Sequence, residues 1–383
     1  MNLKKSAITL LIISFLACSI AVNLSSSIKA VQAENYGYIN QIGKLVIKPQ
    51  FSEVHSFSQG LAAVKIGGKW GYINKSGKVV IKPQYSKVFS FSQGLAAVKI
   101  GDKWGYIDLT GKVVVKPQFS ETIGFSEGLA AVKIGDNWGY IDLTGAIVIK
   151  PQFIDAYSFS EGIAIVNRFD YIDKVGKQTI QIEVEDSPYS DGEIIDIKNF
   201  SQGLAAVQTG GGGTCGPVLC VYGYIDKTGK MIVSPEFFEA REFSQGLAAV
   251  STNDSASGVA IGEWGYINKR GQLVIKPIFS GASSFSEGLA AVENGRKDVF
   301  YEESGETFRK VIPGKWGYID STGKQVISPQ FDLANSFSEG LAAVKVKDKC
   351  GYINKLGKSV VKRRFSACAD FSEGLAAVKT LAQ

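Results

Sequence analysis

The sequence predicts an all-β protein built from about nine tandem copies of one short three-stranded antiparallel unit. The first observation is self-similarity, which decides architecture before any local propensity does. Aligning the chain on Tyr-Ile gives Tyr38, Tyr72, Tyr106, Tyr140, Tyr171, Tyr224, Tyr266, Tyr318 and Tyr352, with the first four spaced 34 residues apart and the last two likewise. The second is composition. Of 383 residues, 43 are Gly, 22 Phe, 15 Tyr and 5 Trp, and most of the aromatics fall in register with the repeat. The third is the regular placing of turn residues between runs of β-branched and aromatic ones.

The elements follow in order within residues 70–98. W-G-Y-I is a short aromatic and β-branched run that favours an extended strand. The next four residues, such as Asp108-Leu109-Thr110-Gly111, place Asp or Asn first and Gly last, the signature of a type I turn with Gly at positive φ. K-V-V-I-K returns as a second strand and is expected to stop at Pro83 or Pro117, because Pro cannot donate to a ladder. F-S-E/Q-G forms a second turn in which Gly60, Gly94 and Gly128 supply unusual backbone angles. L-A-A-V-K is a third strand, apolar on both faces and rich in Ala, which suits a crowded interior. Two arrangements compete: an open solenoid-like array, preferred for nine units with irregular insertions, and a closed β-propeller-like ring as the alternative.

This pattern resembles the WG-repeat (KWG-repeat) family found in many bacterial proteins, over essentially all of residues 34–380. The resemblance implies an exported or surface interaction protein without an assigned reaction. The chain departs from the pattern in three ways. Trp stands only at 70, 104, 138, 264 and 316; the fifth unit, Phe169 to Val207, lacks W-G and P-Q-F; and the last unit has Cys350 for Trp and Arg363 for Pro.

Residues 1–33 read as an export signal: a basic start at Lys4 and Lys5, an apolar run from Ala7 to Ile20, and Val31-Gln32-Ala33 before Glu34. The alternative is a lipoprotein anchored at Cys18, the one route by which the chain would meet a membrane. The segment carries Lys4, Lys5 and Lys29 and no acid, so its loss takes the net charge from +6 to +3. Evenly spread charge of that size argues against a nucleic-acid partner.

The single His55 excludes multi-histidine metal sites and is expected in an exposed turn. The residue after Tyr-Ile alternates between Asp (108, 142, 173, 226, 320) and Asn (40, 74, 268, 354), which a turn cap tolerates better than a calcium ligand would. Insertions are expected near 177–199, 208–221, 251–263 and 293–315, the last three directly after L-A-A-V and emerging on one edge. Gly211-x-Gly213-x-x-Gly216 matches a dinucleotide fingerprint in letters only, without a following helix. Outside the first 33 residues four cysteines remain, and of their three connectivities the one preferred for an oxidising compartment is Cys215–Cys220 with Cys350–Cys368, ahead of metal binding.

The functional expectation is a non-catalytic, exported scaffold that binds proteins or cell-envelope polymers and uses no cofactor or metal. The alternative is a glycan-binding module through the rows of Trp70, Trp104, Trp138, Trp264 and Trp316. A carboxylate-dependent hydrolase ranks third, since no acidic pair stands out from the repeat.

Overall fold

The computed structural model describes residues 35–180, 182, 193–210, 220–252, 263–303 and 306–380. Residues Glu34–Leu381 form one compact unit. The described residues are strands and turns arranged as seven antiparallel sheets of three or four strands, one seven-stranded sheet in which the two ends of the repeat region meet, and a two-stranded hairpin.

The sheets are out of phase with the written repeat. L-A-A-V pairs not with the W-G-Y-I before it but with the one after it: Ala63 lies opposite Tyr72, and Val64 opposite Gly71. The sheet of the second unit is therefore Leu61–Ile66, Lys69–Asn74 and Val79–Tyr85 in that order. A fourth strand appears in several units where the three-stranded reading had a spacer. Glu121–Thr122, for example, pairs with the end of Leu129–Ile134.

This phase leaves half a sheet at each end of the repeat region, and the two halves complete one another. Tyr36–Asn40 pairs antiparallel with Leu375–Thr380, placing Tyr38 opposite Ala377. The all-β tandem reading holds, while the expected open array gives way to the closed, propeller-like ring. The physical reason is edge pairing. An open array would leave one edge of the L-A-A-V strand unpaired at one end and one edge of the Y-G-Y-I strand unpaired at the other, both exposing backbone donors and acceptors.

Contacts between neighbouring sheets run around the ring without a break. In each F-S-x-G turn the Ser hydroxyl donates to the Phe carbonyl of the next: Ser58 to Phe91, Ser92 to Phe125, Ser126 to Phe159, Ser160 to Phe200, Ser201 to Phe243, Ser244 to Phe285, Ser286 to Phe337, Ser338 to Phe371, and Ser372 back to Phe57. Nine hydrophobic clusters fill the nine interfaces. Leu61 and Ala63 face one neighbour while Ala62 and Val64 face the other, which explains why both faces of that strand are apolar and small.

The return strand does not end at its proline. Val79–Tyr85 runs through Pro83, and the register slips between Trp70↔Tyr85 and Tyr72↔Ile81. The extra residues form a bulge, where Pro needs no ladder partner. The bulge presses backbone against Gly71, where a Cβ would lie 2.5 Å from the Ile81 carbonyl oxygen and 2.7 Å from the Pro83 nitrogen. The Gly of W-G and the Pro of K-P-Q are thus two sides of one contact. The fifth unit loses both together, with Asp170 at the Gly position and a short Gln178–Ile180 strand.

Parts of two expected insertions are regular elements. Gln178–Ile180 and Glu193–Ile197 belong to sheets, and Leu204–Gly210 extends its L-A-A-V strand. The 293–315 insertion contains a hairpin, Lys297–Glu303 with Glu306–Ile312, between Leu289–Asn294 and Lys315–Asp320. The core of the 251–263 insertion lies outside the described residues.

Candidate functional site

The Tyr, Ser, Gln or Glu and Asp or Asn side chains of the repeat have internal partners. The nine Tyr hydroxyls of the Tyr-Ile motif donate to backbone carbonyls, from Tyr38 to His55 and Tyr72 to Phe89 through to Tyr352 and Ala369. Each of these rings also meets the Phe of the following F-S-x-G at 4.8–5.1 Å between centroids. Burial drives the Tyr hydroxyl pKa well above its ordinary value, so these phenols stay protonated donors.

The F-S-x-G turn contains a feature the sequence reading missed. Its third residue, Gln or Glu, also has positive φ, 53° at Gln59 and 51° at Glu127, next to Gly60 and Gly128. Two successive positive φ values make the tight primed hairpin turn, for which a long side chain is a poor choice. Here the side chain is needed elsewhere: Gln59 Oε1 accepts from the Gly94 N–H, Glu127 from Gly162, and Glu373 from Gly60, which closes this second chain of bonds around the ring. The carboxylates also pair with a Lys of the following unit, Glu373 with Lys75, Glu127 with Lys174, Glu161 with Lys227 and Glu287 with Lys355. Partial burial raises these carboxyls, but the Lys and Gly N–H bonds outweigh it and their pKa values fall below the ordinary one. Asp108, Asp142, Asp226 and Asp320 are lowered first by a Thr hydroxyl two residues on, with turn N–H bonds adding to it. Asn40 and Asn74 accept the same turn bonds, as the free exchange of Asp and Asn implied.

The aromatic before Gly-Tyr-Ile sits in a slot between two units. Trp70, Trp104 and Trp264 are buried, 8, 9 and 8% exposed, while Trp138 and Trp316 are half-buried. One wall is a residue of the same sheet: His55 lies 4.9 Å from Trp70, Phe89 5.4 Å from Trp104, and the Arg241 guanidinium 5.0 Å from Trp264. The other wall is a small or β-branched residue 18 positions on, as with Trp70 and Val88, Trp138 and Ala156, and Trp264 and Ala282. The expected exposed turn His55 is instead half-buried on this wall. Its ring pKa is lowered by burial, with Glu53 opposing. Tyr36 and Tyr222 take the Trp position in the first and sixth units, each under a lysine ammonium.

In the ninth unit both partners of the slot are cysteines. Cys350 holds the Trp position and Cys368 the small position, joined by a disulfide with Cα atoms 6.1 Å apart. Cys350 lies in Lys349–Asn354 of the ninth unit, whereas Cys368 ends the Ser359–Cys368 strand and pairs there with Val378 of the strand that joins the first unit. The bridge therefore ties the last complete sheet to the C-terminal half-sheet at the seam. Cys220 is buried, and Cys215, its expected partner, lies outside the described residues.

The described surface contains three clefts of note. One of about 400 Å³ lies beside His55, Trp70 and Tyr36; one of about 230 Å³ lies over the Cys350–Cys368 bridge; and one of about 410 Å³ lies at the irregular fifth unit, with Asp155, Arg168, Asp196 and Glu242 on its walls.

Among solved structures, the Neurospora crassa Pan2 WD40 domain aligns at 12% identity over 91% of this chain and 96% of its own, with a TM-score of 0.31. The Dos1 propeller aligns at 11% over 91% and 95%, at 0.34. The V. cholerae biofilm matrix protein Bap1 aligns at 8% over 91% and 88%, at 0.31. No curated protein matches the chain. The model of the WG containing repeat matches residues 36–70, 70–104, 104–138, 138–168, 222–254, 264–297, 316–350 and 351–380. These matches span well over half of the sequence and, between residues 36 and 380, leave out the irregular fifth unit and the longer insertions, so the chain belongs to the WG-repeat family.

Proposed function

We propose that this protein is an exported, non-catalytic scaffold whose ring presents loops to protein or cell-envelope partners. The observation that supports it is where the polar chemistry goes. Tyr hydroxyls, Ser hydroxyls, Gln and Glu side chains and Asp caps are consumed unit after unit by internal bonds, so what differs between units is the connection from L-A-A-V to W-G-Y-I. The longest described connection, the hairpin Lys297–Glu303 with Glu306–Ile312, exposes Val299, Tyr301, Phe308 and Ile312, with Tyr301 and Phe308 stacked at 5.7 Å. Exposed aromatics on a projecting hairpin suit protein recognition. Export follows from residues 1–33, with lipid anchoring at Cys18 as the other route to the cell surface.

The test is a pull-down from envelope fractions with the chain from Glu34, intact and with residues 297–312 replaced by a short Gly-Ser turn. A specific partner that is lost with the hairpin supports the reading. Equal capture by both forms removes the hairpin from it, and no partner for either removes the scaffold reading. Glycan binding remains the second reading on the half-buried Trp138 and Trp316. It requires their fluorescence to respond to cell-wall polysaccharide.

A further inference from the structure

We infer that the cleft over the Cys350–Cys368 bridge is a binding site for a planar aromatic group of about indole size. The other units of the same chain show what this position normally holds. At the equivalent position they hold an aromatic ring, as Trp70, Trp104, Trp138, Trp264 and Trp316 do, or as Tyr36 and Tyr222 do. The ninth unit keeps the walls of that slot and lacks the ring. Lys345 lies opposite Cys350 in the ladder just as Lys65 lies opposite Trp70 and Lys133 opposite Trp138. In those two units the ammonium sits 5.8 and 6.0 Å from the ring centroid. Asn335 holds the position of His55 and Phe89, which lie against Trp70 and Trp104. Ala343 and Leu333 supply apolar surface, and the disulfide closes the floor.

What remains is a cleft of about 230 Å³. Engineered apolar cavities of about 150 Å³ take up benzene, so the volume admits a bicyclic ring. Lys345, which lines the cleft, adds cation–π attraction that an aliphatic group of the same size does not receive. The cleft beside His55 differs in that Tyr36 and Trp70 already line it. The inference does not depend on the scaffold reading, since a ring-sized slot binds a ring whatever the loops recognise.

The test is saturation-transfer NMR of indole with the intact, oxidised chain. Transfer with a Kd on the order of 1 mM or tighter is expected for nine non-hydrogen atoms. Cyclohexanol, close in size but without a π face, is expected to bind at least about threefold more weakly. The variant C350W/C368A rebuilds the Trp and Ala pair of the Trp138 slot and is expected to weaken indole at least about tenfold while melting cooperatively. Lys345→Ala, on the rim, is expected to weaken it about threefold and keeps the question decidable if the double variant does not fold. No transfer at 10 mM indole (roughly tenfold over that Kd), equal binding of cyclohexanol, undiminished binding by a folded C350W/C368A, or unchanged affinity of Lys345→Ala would each overturn the assignment. N-acetyltryptophanamide run alongside separates the sources: comparable binding identifies a peptide side chain as occupant, and indole alone identifies a small molecule.

Discussion

At the interface between the second and third units, Trp70 packs against Val88; at the seam between the ninth unit and the first, the same two positions are Cys350 and Cys368. The regular interface lies between two complete sheets. The seam partner is a half-sheet, the Leu375–Thr380 strand with a short segment before it, which is completed only when Tyr36–Asn40 arrives from the other end of the repeats. Burying an indole is worth a few kcal/mol when both walls are already fixed. A half-sheet has weaker walls, and a covalent bond holds it in place whether or not its neighbour strand has paired. A ring packed on a small or β-branched residue recurs at interfaces between complete sheets, and a covalent pair replaces it where the ring of units must be joined.

The largest expected effect is at the rewritten position. C350A/C368A should lose about 3 kcal/mol, from the closed loop of about 18 residues and the missing contact, read as a fall in the denaturation midpoint. Reduction of the unaltered chain should cost at least that much, since Cys220 is also disulfide-bonded, and the loss seen on reducing the Ala-substituted protein is the share of that second bridge. Gly71→Ala comes next, at about 2 kcal/mol, because its Cβ meets the backbone of the bulge opposite. Asp170→Gly in the fifth unit, where the sequence has Ile182 in place of the proline, should cost less, at most about 1 kcal/mol, from the hydrogen bonds to Asn167 and Gln178. A similar cost at both sites would refute the pairing of Gly with the proline bulge.

Removing one ring-linking hydroxyl is smaller. Ser92→Ala and Ser372→Ala should each cost about 1 kcal/mol, the first at a regular interface and the second across the seam. A markedly larger loss at Ser372 would indicate that the seam opens as a unit.

The smallest effect is a pH dependence. Glu127, Glu161, Glu287 and Glu373 have folded pKa values below the ordinary glutamate value of 4.5. Their contribution is therefore complete above pH 4.5 and is lost as the pH falls through the folded values. Gln59, Gln93, Gln202 and Gln245 make the same Gly N–H bond without titrating. Converting the four Glu to Gln should flatten the acid limb of the stability profile while leaving its neutral plateau within about 0.5 kcal/mol.

Much of this was legible in the residues. The nine units, the Asp/Asn-capped turns and the interior place of L-A-A-V all follow from local spacing and polarity, and so does the Cys350–Cys368 pair. The phase of the sheets was not, because a hairpin through Ile66-Gly67-Gly68-Lys69 and one through Asn74 to Lys78 look equally good in one dimension. Yet the first motif to appear is Y-G-Y-I and the last is L-A-A-V, two complementary half-sheets, and that was the available sign of a ring. The joint loss of W-G and P-Q-F in the fifth unit likewise marked Gly71 and Pro83 as partners. Nothing in the letters distinguished the buried Trp70, Trp104 and Trp264 from ligand-facing rings, since burial is set by the neighbouring unit.

The ring itself is tested most directly by a cross-link across its seam. Tyr36 and Lys379 are ladder partners on the paired end strands. In the variant Y36C/K379C, dilute and mildly oxidised, a near-complete intramolecular disulfide is expected, read by intact mass and peptide mapping. Free thiols at both positions, or only cross-linked dimers, would contradict closure.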